Sequence, residues 1–303
     1  MNIELKSYLK LHFIVMIWGF SAILGLLIAL PAVEVVFYRT LIATLILLVL
    51  LLIRKRKFNI GRTAIIKIIA TGFIISAHWI LFFWSARLST ASVCLAGMAT
   101  CSFWTSLIEP LMTKRKVKIY ELFLGLFIIV GLYIIFQFEF NYALGIGLAV
   151  ISAMLASVFT VLNGQFTKHH AAYTITFYEM LGAFLGTVVF LAFYVPFYQP
   201  TDFSLIPSQQ DWFYLLVLAG MCTVYAFAVS VEIQKVISAF VVNLTVNLEP
   251  VYGILLAFFI FGEEEEMSVG FYVGTCVILL SVLCYPLINR MANRKALQSD
   301  TIR

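Results

Sequence analysis

Four ionisable side chains stand deep inside apolar stretches of this chain: Arg39, His78, Glu179 and Glu249. A charged group at the centre of a bilayer costs roughly 2.5–3.5 kcal/mol on insertion scales, so such groups persist where they pair, bind or move charge. Pro250 follows Glu249, lacks an N–H, and leaves the Val246 carbonyl without its helical partner. Asn243 and Asn247 stand four apart on one helical face, and Thr245 and Glu249 share another. A kinked polar stretch at mid-depth suits a binding site or a hinge; the alternative is a structural carboxyl bonded to a neighbouring helix. Counted at about 1.5 Å per residue, Arg39 and Glu249 lie roughly 9 and 12 Å below the same membrane edge. They are expected to pair, or to read the carboxylate and amine of a zwitterion. Otherwise Arg39 snorkels to the headgroups.

Glu179 holds the mirror position of Arg39 at the other mouth, as a gate, a proton site or a structural ion pair. Tyr178 precedes it, and Gly182 and Gly186 form a G-x-x-x-G surface for close helix contact. His78, beside Trp79, titrates near neutrality and is a candidate carrier of a coupling proton, or else a helix–helix hydrogen bond. The candidate substrate-binding set is Trp18, Arg39, His78, Trp79, Tyr178, Asn243, Asn247, Glu249 and Tyr252. Glu179, His78 and Pro250 are the gating or coupling candidates. Trp84, Trp104 and Tyr225 are further aromatic candidates for the cavity wall. Glu109, beside Lys114, Arg115 and Lys116, reads as an interface anchor, the Glu263–Glu266 run as a solvated turn, and His169–His170 as a loop pair without further metal ligands. No metal site or cofactor is expected.

These residues need helices to hold them. Of the 303 residues 63% are apolar and 12% charged, and the mean hydropathy is +1.03. Too little polar sequence remains to cover a water-soluble core of that size, which excludes a soluble enzyme, a disordered chain and a secreted disulfide scaffold. The five cysteines lie in apolar runs with no C-x-x-C, so neither a disulfide framework nor a zinc site is indicated. A spanning helix takes about 20 apolar residues. Ten candidates follow, at about 11–30, 33–53, 64–86, 90–112, 120–137, 142–163, 173–196, 211–230, 237–261 and 267–289. The first is too long for the apolar core of a signal peptide and is read as a retained helix. All but Arg39 and Arg87 of the 20 Lys and Arg residues fall on one side, while Glu139, Asp202, Asp211 and Glu263–Glu266 fall on the other. The positive-inside rule puts both termini in the cytoplasm.

The two halves resemble each other. Trp18–Gly25 aligns with Ser157–Gly164, Phe37–Leu45 with Phe177–Leu185, and Ala91-Ser92 with Ser238-Ala239. Five spans is an odd number, so the second copy enters the membrane from the opposite face. The expected fold is an all-α integral membrane protein of ten transmembrane helices, arranged as two inverted five-helix repeats. The repeats are placed at 1–139 and 140–290, with a cytoplasmic tail at 291–303. This plan recurs among secondary transporters, which keep their substrate site near the midplane between repeats.

The stretch Asn247-Leu-Glu-Pro-Val-Tyr-Gly-Ile-Leu-Leu-Ala-Phe-Phe-Ile-Phe-Gly-Glu263 resembles the ninth-helix signature of EamA-type permeases of the drug/metabolite transporter superfamily. Trp18 and Arg39 are similar to that family's first-repeat Trp and Arg, and Leu107-Ile-Glu-Pro-Leu111 to its fourth-helix ending. The Glu-Pro pairs at 109–110 and 249–250 do not share the local repeat offset, so they are not symmetry mates. The resemblance implies export of small organic metabolites, such as amino acids or aromatic compounds.

No ATP-binding loop, nucleophile elbow or H-E-x-x-H is present, and the loops are short. Transport would then run downhill or on an ion gradient; one proton at 100 mV, about 2.3 kcal/mol, sustains a roughly fifty-fold gradient. The expected activity is alternating-access transport by a non-enzymatic protein of the plasma (cytoplasmic/inner) membrane. A passive channel or an intramembrane enzyme is the alternative. Expected partners are a small-molecule substrate, the lipid bilayer and a coupling proton, with no nucleic acid, in a monomer or homodimer.

Overall fold

The computed structural model describes residues 3–56, 58–198, 206–262 and 267–301. Lys57, Glu263–Glu266, Asp202 and Arg303 lie outside the described residues, as do the side chains of Arg290, Arg294 and Lys295. Among the described residues every regular element is helical. The thirteen α-helices are α1 (Ile3–Leu27), α2 (Ala32–Ile53), α3 (Arg62–Leu88), α4 (Ala91–Met98), α5 (Cys101–Thr113), α6 (Ile119–Phe138), α7 (Ala143–Phe166), α8 (Ala172–Tyr198), α9 (Gln209–Val217), α10 (Ala226–Ile233), α11 (Ala239–Val246), α12 (Glu249–Phe261) and α13 (Val269–Thr301). Nine helical segments among the described residues are long and apolar enough to cross a membrane, and the apolar part of α13, Val269–Tyr285, is shorter. The nine match the first nine expected spans. The first begins earlier than expected, at Ile3.

Local chemistry sets the boundaries. The polar break expected at Arg87–Thr90 is where α3 ends and Thr90 caps α4, its hydroxyl accepting from the Val93 N–H at 3.1 Å. Ser238 caps α11 in the same way, accepting from the Val241 N–H at 3.4 Å. Ser208 and Asp211 close a reciprocal capping box on α9.

Three spans depart from continuous α-helix. The fourth breaks at Ala99–Thr100 into α4 and α5, and the ninth at Asn247–Leu248 into α11 and α12. The upstream pieces are 8 residues each, and the downstream pieces 13 each. Pro250 stands in the first turn of α12, where its missing N–H costs least. The eighth span contains a π-helical turn, Leu218–Tyr225, between α9 and α10.

Small residues let the backbones meet. A Cβ on Gly182 would lie 2.2 Å from the Ile69 carbonyl oxygen, and one on Gly72 would lie 2.4 Å from that of Glu179, so α3 and α8 touch through the expected G-x-x-x-G face. Gly131 and Gly274 close α6 against α13, and Gly19 meets Gly253 between α1 and α12. Large apolar side chains on the outer faces, such as Phe123, Phe127, Tyr133, Phe193 and Phe259, remain exposed. In water that would be a liability; in lipid it is the expected surface.

Candidate functional site

A cavity of about 90 Å³ lies among α1, α2, α3, α7, α10 and the breaks of the two divided spans. At about 10–15 Å³ of such space per water, it holds several waters or a small organic molecule. Trp18, Arg39, His78, Trp79, Asn243 and Glu249 all line it. Six of the expected site residues, drawn from four spans, therefore converge on one volume.

Arg39 is 2% exposed, which rules out the snorkelling alternative. Its guanidinium lies 3.9 Å above the Trp79 ring, and its Nε donates to Thr223 Oγ1 at 2.7 Å. That hydroxyl donates to the Leu218 carbonyl at 3.0 Å. The π-helical turn supplies both this anchor and the Cys222 carbonyl, which accepts from Trp18 Nε1 at 2.9 Å. A π turn frees backbone groups from the regular ladder and commonly marks functional positions. Nothing in the sequence marks this turn: it carries no Pro, and Thr223 lies in an otherwise apolar run.

Glu249, at the start of α12, faces the same volume. Among the described residues the ion pairs are those of Arg115 and Lys118, so Arg39 and Glu249 share the cavity without closing the expected direct pair. Arg39 and Glu249 thus front one small space without an ion pair between them.

His78 Nδ1 lies 2.9 Å from the Ser152 carbonyl oxygen, and Ser152 Oγ donates to the His78 carbonyl at 2.8 Å. Ser152 Oγ also lies 2.7 Å from Nδ1, so Ser152 holds His78 by both its ring and its backbone. Asn243 donates to Thr105 Oγ1 at 2.7 Å, and Asn247 to Ser102 Oγ at 2.9 Å. The two asparagines therefore bolt α11 and the break after it to α5.

The other expected residues stand elsewhere. Asn247 is fully buried and outside the cavity lining. Tyr178 donates to the Phe58 carbonyl at 2.9 Å, near the loop after α2. Tyr252 packs beside Gly19, and Pro250 is buried in the first turn of α12. Glu179 is fully buried outside the cavity lining. Trp84 packs on Phe190 and Tyr194, Trp104 on Phe103, and Tyr225 on Phe13. Conversely, Asn163 and Gln234 line the cavity with buried amide oxygens that accept no hydrogen bond. Neutral amides give no sequence signal that separates them from packing residues.

The two ends of the molecule differ. A wide vestibule opens where α3 begins and α5 and α7 end; Lys67, Lys114, Lys168, His169 and His170 line it. Ile74 and Leu162 of that vestibule are within about a turn of His78 and Asn163 of the cavity. At the far end of α3, Arg87 donates to the carbonyls of Gly25, Ile28 and Leu30. Asp211 accepts from the Ala29 N–H of the same turn at 2.8 Å. Glu34 is fully buried beside them, and neither of its carboxylate oxygens accepts a hydrogen bond. Glu109 accepts from Arg115 at 3.0 Å and from the Phe240 N–H at 3.3 Å, and so ties α5 to α11 at the vestibule end.

A model of the EamA-like transporter family matches residues 5–137 and again residues 143–285. Among curated proteins, the pseudopaline exporter CntI of Pseudomonas aeruginosa (strain UCBPP-PA14) is 26% identical over 194 residues, 62% of this chain. The match spans 64% of that exporter's length. A crystal structure of another protein aligns with a TM-score of 0.70 at 14% identity, over 95% of this chain and 98% of its own, a likeness of fold alone.

Proposed function

We propose that this chain, which belongs to the EamA-like transporter family, carries a small zwitterionic metabolite out across the plasma membrane by alternating access. One observation carries the reading: Arg39 and Glu249, opposite in charge and not paired with each other, front one buried cavity. The guanidinium takes the carboxylate of an amino-acid-like solute and Glu249 its amine. The rings of Trp18, Trp79, Phe82, Phe159 and Phe227 enclose the apolar remainder. Two inverted five-helix halves would rock about this site. The equal lengths of the two broken spans and the double family match support that arrangement. Both termini lie in the cytoplasm on this reading, by the lysine and arginine bias, so the basic vestibule is the cytoplasmic mouth. An exporter among the relatives supports the outward direction.

Untargeted metabolite profiling of medium tests this, using cells that express wild type, Glu249→Gln or empty vector at matched membrane levels. Accumulation of one amine-bearing acid class with wild type, reduced at least tenfold by Glu249→Gln, is the expected outcome. Equal export by both proteins would remove Glu249 from solute binding, and wild type matching the vector would refute export.

A further inference from the structure

Glu179 lies outside the solute cavity, and like Glu34 it is a buried carboxylate whose oxygens have no partner. It is fully buried in α8, neither carboxylate oxygen accepts a hydrogen bond, and among the described residues no ion pair reaches it. Two further buried oxygens nearby are also without partners. Asn163 of α7 approaches the carboxylate through its side-chain amide without closing a hydrogen bond of normal geometry, and its Oδ1 accepts nothing. Thr176 stands three residues before Glu179 on the same face of α8, and its hydroxyl has no partner either. The idle hydroxyl is unusual here: those of Thr40, Thr44, Thr71, Thr105, Thr160 and Thr187 each donate to the carbonyl four residues back. A buried threonine that forgoes this bond keeps its oxygen available for something else.

From these oxygens we infer a binding site for a monovalent alkali-metal cation, held by the Glu179 carboxylate, Thr176 Oγ1 and Asn163 Oδ1. Hard cations take oxygen ligands, and the charge of the ligand set selects the charge of the ion; one carboxylate matches one positive charge. A proton is the competing ligand. It would give the carboxyl one O–H and satisfy one acceptor, leaving the remaining oxygens as they are, whereas a metal ion engages all of them. The position is also significant. The Glu179 backbone abuts Gly72, whose neighbour Thr71 lines the vestibule, and Leu162 lines the vestibule while Asn163 lines the solute cavity. The site thus stands where the two spaces approach each other, and a cation there acts on both.

The site does not depend on the transport reading, and its test contains no transported solute. Thermal unfolding of the purified protein is followed by tryptophan fluorescence in NaCl, KCl or choline chloride at equal ionic strength. The expected result is a midpoint that rises saturably with Na+ or K+ over choline, because a ligand of the folded state stabilises it by mass action. Thr176→Val, nearly isosteric, should raise the half-saturating cation concentration about tenfold, and Glu179→Gln should abolish the response. Identical wild-type midpoints in all three salts would overturn the site. So would a cation response retained in Glu179→Gln, or a midpoint that responds to pH alone. If Glu179→Gln does not fold, the wild-type titration and Thr176→Val decide.

Discussion

Replacing Arg39 by lysine keeps the charge and removes the geometry. The guanidinium lies flat on Trp79 at 3.9 Å while its Nε holds Thr223 at 2.7 Å. An ammonium is a point charge that cannot do both. Arg39→Lys should lower solute efflux at least tenfold, about 1.4 kcal/mol, with membrane expression unchanged; efflux near wild type would reduce Arg39 to its charge alone. Arg39 and Glu249 are legible in the sequence because a charge in an apolar run is costly and so stands out. Their company is not. Thr223, Asn163 and Gln234 are neutral, and hydroxyls in helices usually bond their own backbone, so only tertiary geometry shows which ones do not. Glu34 carries no signal for a related reason. It stands at the start of a predicted span, where a carboxylate looks interfacial, and only packing by neighbouring helices buries it.

At the level of whole helices the same division holds. The break before Glu249 is visible because Pro250 has a defined backbone effect. The matching break at Ala99–Thr100 and the π turn at Leu218–Tyr225 carry no such marker. Both stand beside contacts between spans: Asn243 and Asn247 of the ninth on Thr105 and Ser102 of the fourth, and Trp18 on the freed Cys222 carbonyl. The G-x-x-x-G stretch was legible as a contact face, and the partner it meets, α3, was not. The glycines now separate by consequence. Gly182→Leu would drive a side chain into the Ile69 backbone, 2.2 Å from where the Cβ begins. Forcing α3 and α8 apart is expected to cost 1–3 kcal/mol or more. Gly220, with nothing within 4 Å of its Cβ position, should accept alanine within about 0.5 kcal/mol. Thermal midpoints and monodispersity in detergent measure both; equal losses at the two sites would show that packing across α3 and α8 does not hold the fold together.

The whole molecule is asymmetric in a way that defines its state. The vestibule end is open, while at the other end Arg87 and Asp211 clamp the turn between α1 and α2. Arg87 and the turn belong to the first half of the chain and Asp211 to the second, so the Ala29–Asp211 bond ties the halves together and Arg87 holds the turn that makes it. On the alternating-access reading proposed above, that tie has to part. Glu34 stands beside Arg87 with its carboxylate idle, and Arg87 Nε is buried without a partner. A guanidinium that leaves the turn therefore has an acceptor at hand. Arg87→Met, which keeps the length and removes the donors, should shift the equilibrium towards the state open at the clamp end. Hydrogen bonds to a charged group contribute roughly 1.5–3 kcal/mol, enough for a population change of tenfold or more. Cys101, which lines the cavity, reports the change through a membrane-impermeant maleimide and site-resolved mass spectrometry. The expected signature is reciprocal: faster alkylation from the clamp side and slower alkylation from the vestibule side. That sign separates a gate from a structural tie, because loss of structure would speed labelling from both sides, and a clamp that merely capped α1 would change neither.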